Sequence, residues 1–232
     1  MAEQPRLFEF RMGERAPETH VVTRANQAAV ERLEGWRAWP GGALALTGPQ
    51  GAGKTHLAHV WAAATGARFI DKDFSPEAAA EAFAAAEGRL VVDDADRAAE
   101  DQTLNRLLDL ARWRQGAVLL IGQDAPSRWP RATADLVSRL KALPAARLEE
   151  PDEMLLELVL RRLCRERFIE LSDKAASYLA THMTRTFASA HALAAELDRS
   201  VEKAARPVSV PQAKKALEAL RADQAAQEGG GA

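Results

Sequence analysis

A parallel α/β sheet with helices on both faces, followed by a small all-helical unit, is the fold class this sequence predicts. Three observations predict it. Short apolar runs of the buried-strand type alternate with helical patterns up to residue 150, and from Pro151 onward only helical patterns remain. One run, Leu44-Ala45-Leu46-Thr47, passes directly into Gly48-Pro49-Gln50-Gly51-Ala52-Gly53-Lys54-Thr55 and then into a helix-forming stretch. Another, Arg89-Leu90-Val91-Val92, ends in Asp93-Asp94, which sets acid at the C-terminal tip of a buried strand. Open parallel sheets bind their ligands at the carboxyl ends of the strands, and these polar tips lie there.

The glycine loop has the form Gly-x-x-x-x-Gly-Lys-Thr of a P-loop. Gly48, Gly51 and Gly53 let the backbone approach a phosphate closely, so that successive N–H groups point at its oxygens. Lys54 is placed to reach the β- and γ-phosphates and Thr55 to set its hydroxyl on Mg²⁺. The N-terminus of the following helix adds partial positive charge beneath them. Phosphate chemistry also needs a carboxylate opposite the loop, and Asp93 fills that place as the metal's ligand. Asp94 is a candidate to orient or deprotonate a water attacking the γ-phosphate. Gln123, at the tip of the strand 117–122, reads either as a bridge between that water and the γ-phosphate or as an ordinary polar strand end.

Taken in order, residues 1–10 are polar with three large apolar side chains and a proline, and read as a flexible tail. Apolar spacing predicts a helix from Asn26 to Trp39, stopped by Pro40-Gly41-Gly42, immediately before the P-loop strand. The P-loop helix ends at Gly66, and 67–70 is a second short strand. Ser75-Pro76-Glu77 starts the next helix, with a capping hydroxyl, proline in the first turn and an acid favoured by the dipole. After the Asp93-Asp94 strand come an amphipathic helix over 101–113 and the strand 117–122. Helices then follow over 152–168, 172–182, 186–204 and 211–222. The predicted organisation is therefore a tail (1–10), an α/β base (11–150), a helical lid (151–222) and a disordered end (223–232).

Composition narrows the function classes. A chain of 232 residues buries a full core, and 31 basic against 33 acidic side chains create no field for wholesale binding of nucleic acid or anionic membrane. The single cysteine, Cys164, excludes an intrachain disulfide framework and a Cys-based zinc site, and reads as a buried small apolar residue in a reducing cytoplasm. No apolar run is long enough to span a bilayer, and no signal-peptide layout opens the chain.

The residues resemble the AAA+ ATPases, the DnaA branch in particular and, within it, the small DnaA-related Hda regulators. The resemblance runs from Gln4 to about Leu220 and rests on His20-Val21-Val22 with Asn26-Gln27, the Gly48–Leu57 segment with its Gly-Lys-Thr-His, Asp135-Leu136-Val137-Ser138-Arg139-Leu140, and Leu197-Asp198-Arg199-Ser200. It implies ATP or ADP with Mg²⁺ as ligand, with His56 in the nucleotide-binding set and Asn26 against the adenine. Without the family, Asn26 is a helix N-cap. It implies that Arg139 is an arginine finger facing the nucleotide of a neighbouring subunit, where otherwise it is a surface arginine on a short helix. Gln4-Pro5-Arg6-Leu7-Phe8 resembles the peptide by which replication proteins dock on the sliding clamp. Leu7 and Phe8 would fill an apolar pocket and Gln4 would supply directional hydrogen bonds, the alternative being a tail folded back on its own domain.

Two departures shape the expectation. The lid arginine that contacts the phosphates in this family is matched by Ala188, with Arg185 one turn earlier, so intrinsic hydrolysis is expected to be slow and ADP to be held about as well as ATP. No helix-turn-helix DNA-binding domain follows the lid, so contact with DNA is expected to be indirect. The expected role is a clamp-docked regulator that drives hydrolysis of DnaA-bound ATP, free of any membrane and able to self-associate. The competing reading is a helicase-loader-like or accessory initiator ATPase on single-stranded DNA, for which Trp113, Trp129, Arg128 and Arg131 are the stacking and basic candidates.

Overall fold

A computed structural model describes residues 6–8, 20–70, 74–97, 100–131, 133–200 and 207–229. In chain order the elements are β1 (Arg6–Phe8), β2 (His20–Val22), α1 (Gln27–Glu34), β3 (Ala43–Thr47), α2 (Lys54–Thr65), β4 (Arg68–Ile70), α3 (Pro76–Ala85), β5 (Arg89–Val92), α4 (Asp101–Trp113) and β6 (Ala117–Ile121). They continue with α5 (Ala134–Ala142), β7 (Ala145–Arg147), α6 (Glu153–Glu166), α7 (Asp173–His182), α8 (Phe187–Ser200) and α9 (Val210–Gly229). The chain divides into two compact units, Met1–Glu149 and Glu150–Ala232.

The first unit is built on a five-stranded sheet in the order β4-β5-β6-β3-β7. Every pairing in it is parallel, with Leu44 opposite Leu119 and Ala146, on the other side of β3, opposite Leu46. Alternation along the strands divides the apolar side chains between two layers. Leu44, Leu46, Val91, Leu119 and Ile121 pack with Val30 and Leu33 of α1 and Leu57 and Trp61 of α2. Ala43, Leu90, Val92, Val118 and Leu120 pack on the opposite face with Phe83 of α3, Leu104 and Leu107 of α4, and Leu136 and Leu140 of α5. β3 and β6 are buried at every position, as continuous apolar runs must be when helices cover both faces.

The second unit holds its own core. Leu156, Leu160, Leu179, Leu193, Leu197 and Leu217, drawn from α6 to α9, are all nearly or wholly buried there. α6 and α7 begin at side-chain caps, Asp152 accepting from Leu155 N and Ser172 from Ala175 N.

Several boundaries differ from the sequence reading. α1 stops at Glu34 and a 3-10 turn covers Trp36–Ala38, because Gly35 interrupts the helix. β7 carries no β-branched residue and left no strand signal; it becomes a strand by pairing with β3. In the tail, the backbone of β1 pairs antiparallel with β2, Leu7 opposite Val21. At the other end the backbone stays helical to Gly229. The Ala, Gln and Glu residues after 222 are good helix formers, which explains helix where composition alone suggested disorder. Among the described residues no helix is long and apolar enough to cross a membrane.

Candidate functional site

The carboxyl ends of β3, β5 and β6 lie at one edge of the sheet, and the loops leaving them are tied together by short hydrogen bonds. Gly48 N donates to Gln123 O at 3.1 Å, and Gln123 N donates to Asp96 Oδ2 at 2.9 Å. The P-loop, the tip of β6 and the turn after β5 therefore form one hydrogen-bonded platform. Gly48 has φ +148°, and a Cβ there would lie 2.4 Å from Leu148 O, so only glycine lets the loop pass this close to the residue that follows β7. Gly53, at φ +88°, is the left-handed residue from which α2 starts.

Lys54 folds over this loop. Its Nζ donates to Gly48 O at 2.7 Å and Pro49 O at 2.9 Å. Burial lowers its pKa from the ordinary lysine value, and the carboxylates of Asp93, Asp96 and Asp94 work against that shift. Thr55, the next residue, donates its hydroxyl to Asp93 Oδ2 at 2.8 Å, so a strand tip and a helix start converge on one point. A hydroxyl and a carboxylate in contact fit the protein's share of a Mg²⁺ site, since that ion takes one or two protein ligands and otherwise water and phosphate. Among the described residues no group of three or more His, Cys, Asp or Glu forms a metal cage. Asp94 is exposed and left-handed, at φ +50°, an uncommon conformation for a residue with a Cβ. His56 is exposed on the first turn of α2.

Asn26 is 4 % exposed, and its side chain does not cap α1. The amide instead closes the preceding turn, Nδ2 donating to Val21 O at 2.9 Å and Oδ1 accepting from Thr23 N at 2.8 Å. Asn26 does stand at the N-cap position of α1, its carbonyl accepting from Val30 N at 3.0 Å, while its side chain is spent one turn earlier, on the chain entering the helix.

Arg139 lies on α5, away from these tips in sequence, and is gripped from two sides. Its Nη1 donates to Asp109 Oδ1 of α4 at 2.5 Å and its Nε pairs with Asp135 Oδ2 at 3.0 Å. The hydrogen bond it donates to Asp109 leads the effects that raise its pKa above the ordinary guanidinium value. In the second unit Ala188 is exposed on α8, and Arg185 is paired with Glu153 Oε1 at 2.8 Å. Gln4 lies outside the described residues. Of Leu7 and Phe8 the backbone alone is described, in β1.

Asp96 was missed by sequence reasoning. It is 9 % exposed, and one oxygen holds the Gln123 backbone while Oδ1 has no hydrogen-bond partner. The signal was a third acid two residues after Asp94, which reads as a loop residue until the sheet order brings β5 beside β6. Trp129 is corrected as a stacking candidate: it is 5 % exposed and donates its indole N–H to Asp124 O at 2.8 Å. Arg131 is likewise turned inward, onto the Ala95 carbonyl. Trp113, 76 % exposed, is the stacking candidate left on the surface.

The sheet order, the P-loop and the acid-tipped strand define a P-loop ATPase fold of the AAA+ class. The same fold recurs in solved structures of DnaA and of RuvB. Domain III of the replication initiation protein DnaA from Thermotoga maritima superposes with a TM-score of 0.67 at 18 % identity, over 87 % of this chain and 94 % of that one. The Thermotoga maritima RuvB Holliday junction branch migration motor superposes with a TM-score of 0.64 at 20 % identity, over 83 % of this chain and 69 % of that one. A DnaA bound to AMPPCP and single-stranded DNA gives a TM-score of 0.58 at 18 % identity, and here the match spans 76 % of this chain and 62 % of the other. No protein-family profile and no curated protein matches the chain.

Proposed function

We propose that this chain is a nucleotide-binding, DnaA-related regulator that docks on the DNA-loaded sliding clamp through Gln4, Leu7 and Phe8 and stimulates hydrolysis of DnaA-bound ATP with Arg139. ATP or ADP with Mg²⁺ sits on Gly48–Thr55, with Asp93 and Thr55 toward the metal, Asp94 and Gln123 toward the γ-phosphate, and Asn26 and His56 on the nucleoside side. Bound Mg²⁺ neutralises phosphate charge; the chain's own groups orient the phosphates and exclude water from them.

The observation that carries the reading is the state of Arg139. Its partners within the chain are Asp109 and Asp135, not the P-loop, so its charge is held in place at the surface of its own unit and is suited to a nucleotide carried by another protein. The backbone of Arg6–Phe8 is already extended, in a two-stranded ribbon. Such a ribbon is only marginally stable alone in water, so little opposes handing Leu7 and Phe8 to a partner's pocket. The reading as a loader on single-stranded DNA has lost Trp129 and Arg131, both turned inward.

The test is conversion of DnaA-bound ATP to ADP with clamp loaded on DNA, comparing wild type, Arg139→Ala and a chain lacking residues 1–10. Arg139→Ala is expected to keep nucleotide and clamp binding and to lose about 10³- to 10⁵-fold in stimulated rate. The truncated chain is expected to lose clamp binding and stimulation together. Stimulation by Arg139→Ala equal to wild type overturns the finger.

A further inference from the structure

Among the described residues, Glu87, Asp94, Gln115 and Phe168 have a left-handed backbone without being glycine. Glu87, Gln115 and Phe168 stand just past the ends of α3, α4 and α6, where this conformation is an ordinary way to close the last turn. Asp94 follows a strand, β5, and no helix end accounts for it. Such a conformation is costly for a residue with a Cβ and persists only where the surroundings fix it.

The peptide groups around Asp94 are all held. Asp94 N donates to Asp93 Oδ1 at 2.9 Å, Arg97 N donates to Asp94 O at 2.9 Å, and Ala95 N donates to Ile121 O at 2.7 Å. The next carbonyl, Ala95 O, is held by a side chain from another part of the unit, accepting from Arg131 Nη2. The Arg131 side chain is 6 % exposed, and its Nη1 lies 3.9 Å from Oδ1 of Asp101, the first residue of α4. Asp101 is fixed in turn, its Oδ2 accepting from Thr133 N at 2.7 Å and from Thr133 Oγ1 at 2.8 Å. Burial lowers the Arg131 pKa, against the carboxylates of Asp101 and Asp96. A neutral donor would satisfy a backbone carbonyl without the cost of desolvating a cation. What a guanidinium adds is a rigid plane of several donors, able to face the Asp94 turn and α4 at once.

We propose that Arg131 is a positioning residue for nucleotide hydrolysis: by holding Ala95 O it keeps the turn after Asp94 from relaxing, and so fixes where the Asp94 carboxylate stands. The inference rests on the reading of Asp94 as the group toward the γ-phosphate. In that step the water oxygen bonds the γ-phosphorus as the bond from that phosphorus to the β,γ-bridging oxygen breaks. One water proton passes to the Asp94 carboxylate and on to solvent, and ADP and hydrogen phosphate are released. Arg131 acts through Asp94, its nitrogens being directed at the carbonyl after Asp94 and at the start of α4.

The experiment is single-turnover hydrolysis of radiolabelled ATP by the full chain in excess, followed over hours so that a slow rate is read as well as a fast one. Wild type, Arg131→Met, Asp94→Asn and the double variant are compared, with ADP affinity and melting temperature measured alongside. Arg131→Met is expected to bind ADP within about twofold of wild type and to hydrolyse ATP at least about tenfold more slowly. Added to Asp94→Asn, the same substitution is expected to cost less than about twofold, because a residue acting through Asp94 then has nothing left to position. A purely structural role would lower both backgrounds alike. Wild-type rates in Arg131→Met, or equal losses in the two backgrounds, overturn the role of Arg131 while leaving Asp94 in place. No hydrolysis by wild type, or wild-type rates in Asp94→Asn, overturn the reading of Asp94 and the proposal with it. Where Arg131→Met melts below wild type, Arg131→Lys, which keeps the buried charge without the planar fork, takes its place in the cycle with the same expectations.

Discussion

Asp109 and Asp135 each hold one nitrogen of the Arg139 guanidinium, Nη1 and Nε, and a planar, five-donor group held at two nitrogens keeps further donors for the phosphate oxygen it is proposed to meet. Two carboxylates also hold the plane, so the group does not have to be ordered at the moment it acts. Asp109→Ala is therefore expected to keep nucleotide affinity and to lower stimulation of DnaA-bound ATP hydrolysis about tenfold, a smaller loss than Arg139→Ala. Comparison of the two variants in single-turnover conversion checks this, and equal rates for Asp109→Ala and wild type refute it. Cys164 is a simpler residue. Burial pushes its thiol up to about 11, so at pH 8 only about one molecule in a thousand carries the reactive thiolate. Labelling by a thiol-disulfide reagent is expected to be negligible in the native protein and complete within minutes in denaturant. Fast native labelling would show that α6 opens far more often than its packing implies.

At the scale of elements, the platform works because the P-loop turn is held between two strands as well as by its own helix. Gly48 hydrogen-bonds the tip of β6 and presses against the residue after β7. Gly48→Ala places a methyl 2.4 Å from a backbone carbonyl, which has no flexible end to give way. The loop must move, and the substitution is expected to cost at least about 2 kcal/mol of stability and to weaken nucleotide binding at least tenfold. Urea denaturation and nucleotide titration measure the two effects. Loss of affinity at wild-type stability would mean that the loop had moved without disturbing the strands. The helical unit depends less on its loops, since capping residues and apolar stripes already specify α6 and α7.

Across the whole molecule, the apolar side chains divide into cores that do not mix: one among α6 to α9, and two layers on either face of the sheet. Leu193→Ala, at a wholly buried position of the helical core, is expected to cost about 2 to 5 kcal/mol in that unit. The nucleotide affinity of the P-loop, measured by titration, should change far less. Much of this architecture was legible in the sequence. The P-loop, the acid-tipped strand and the switch from alternating elements to helices alone are local patterns, written in glycine spacing, apolar period and capping residues within a few positions of one another. The partners of those residues were not legible. That Asp96 holds the backbone of Gln123, that Asp109 holds Arg139, that Trp129 is buried and that Ala145–Arg147 is a strand at all depend on which strands lie side by side and which helices cover them. Sequence by itself determined most of the helices, the inner strands and the Gly-Lys-Thr loop, because short-range sterics and hydrogen bonding specify them. Tertiary structure alone decided that Asp96 meets the Gln123 backbone and Asp109 meets Arg139, because those pairings join residues 27 and 30 positions apart and exist only once the sheet has closed its order.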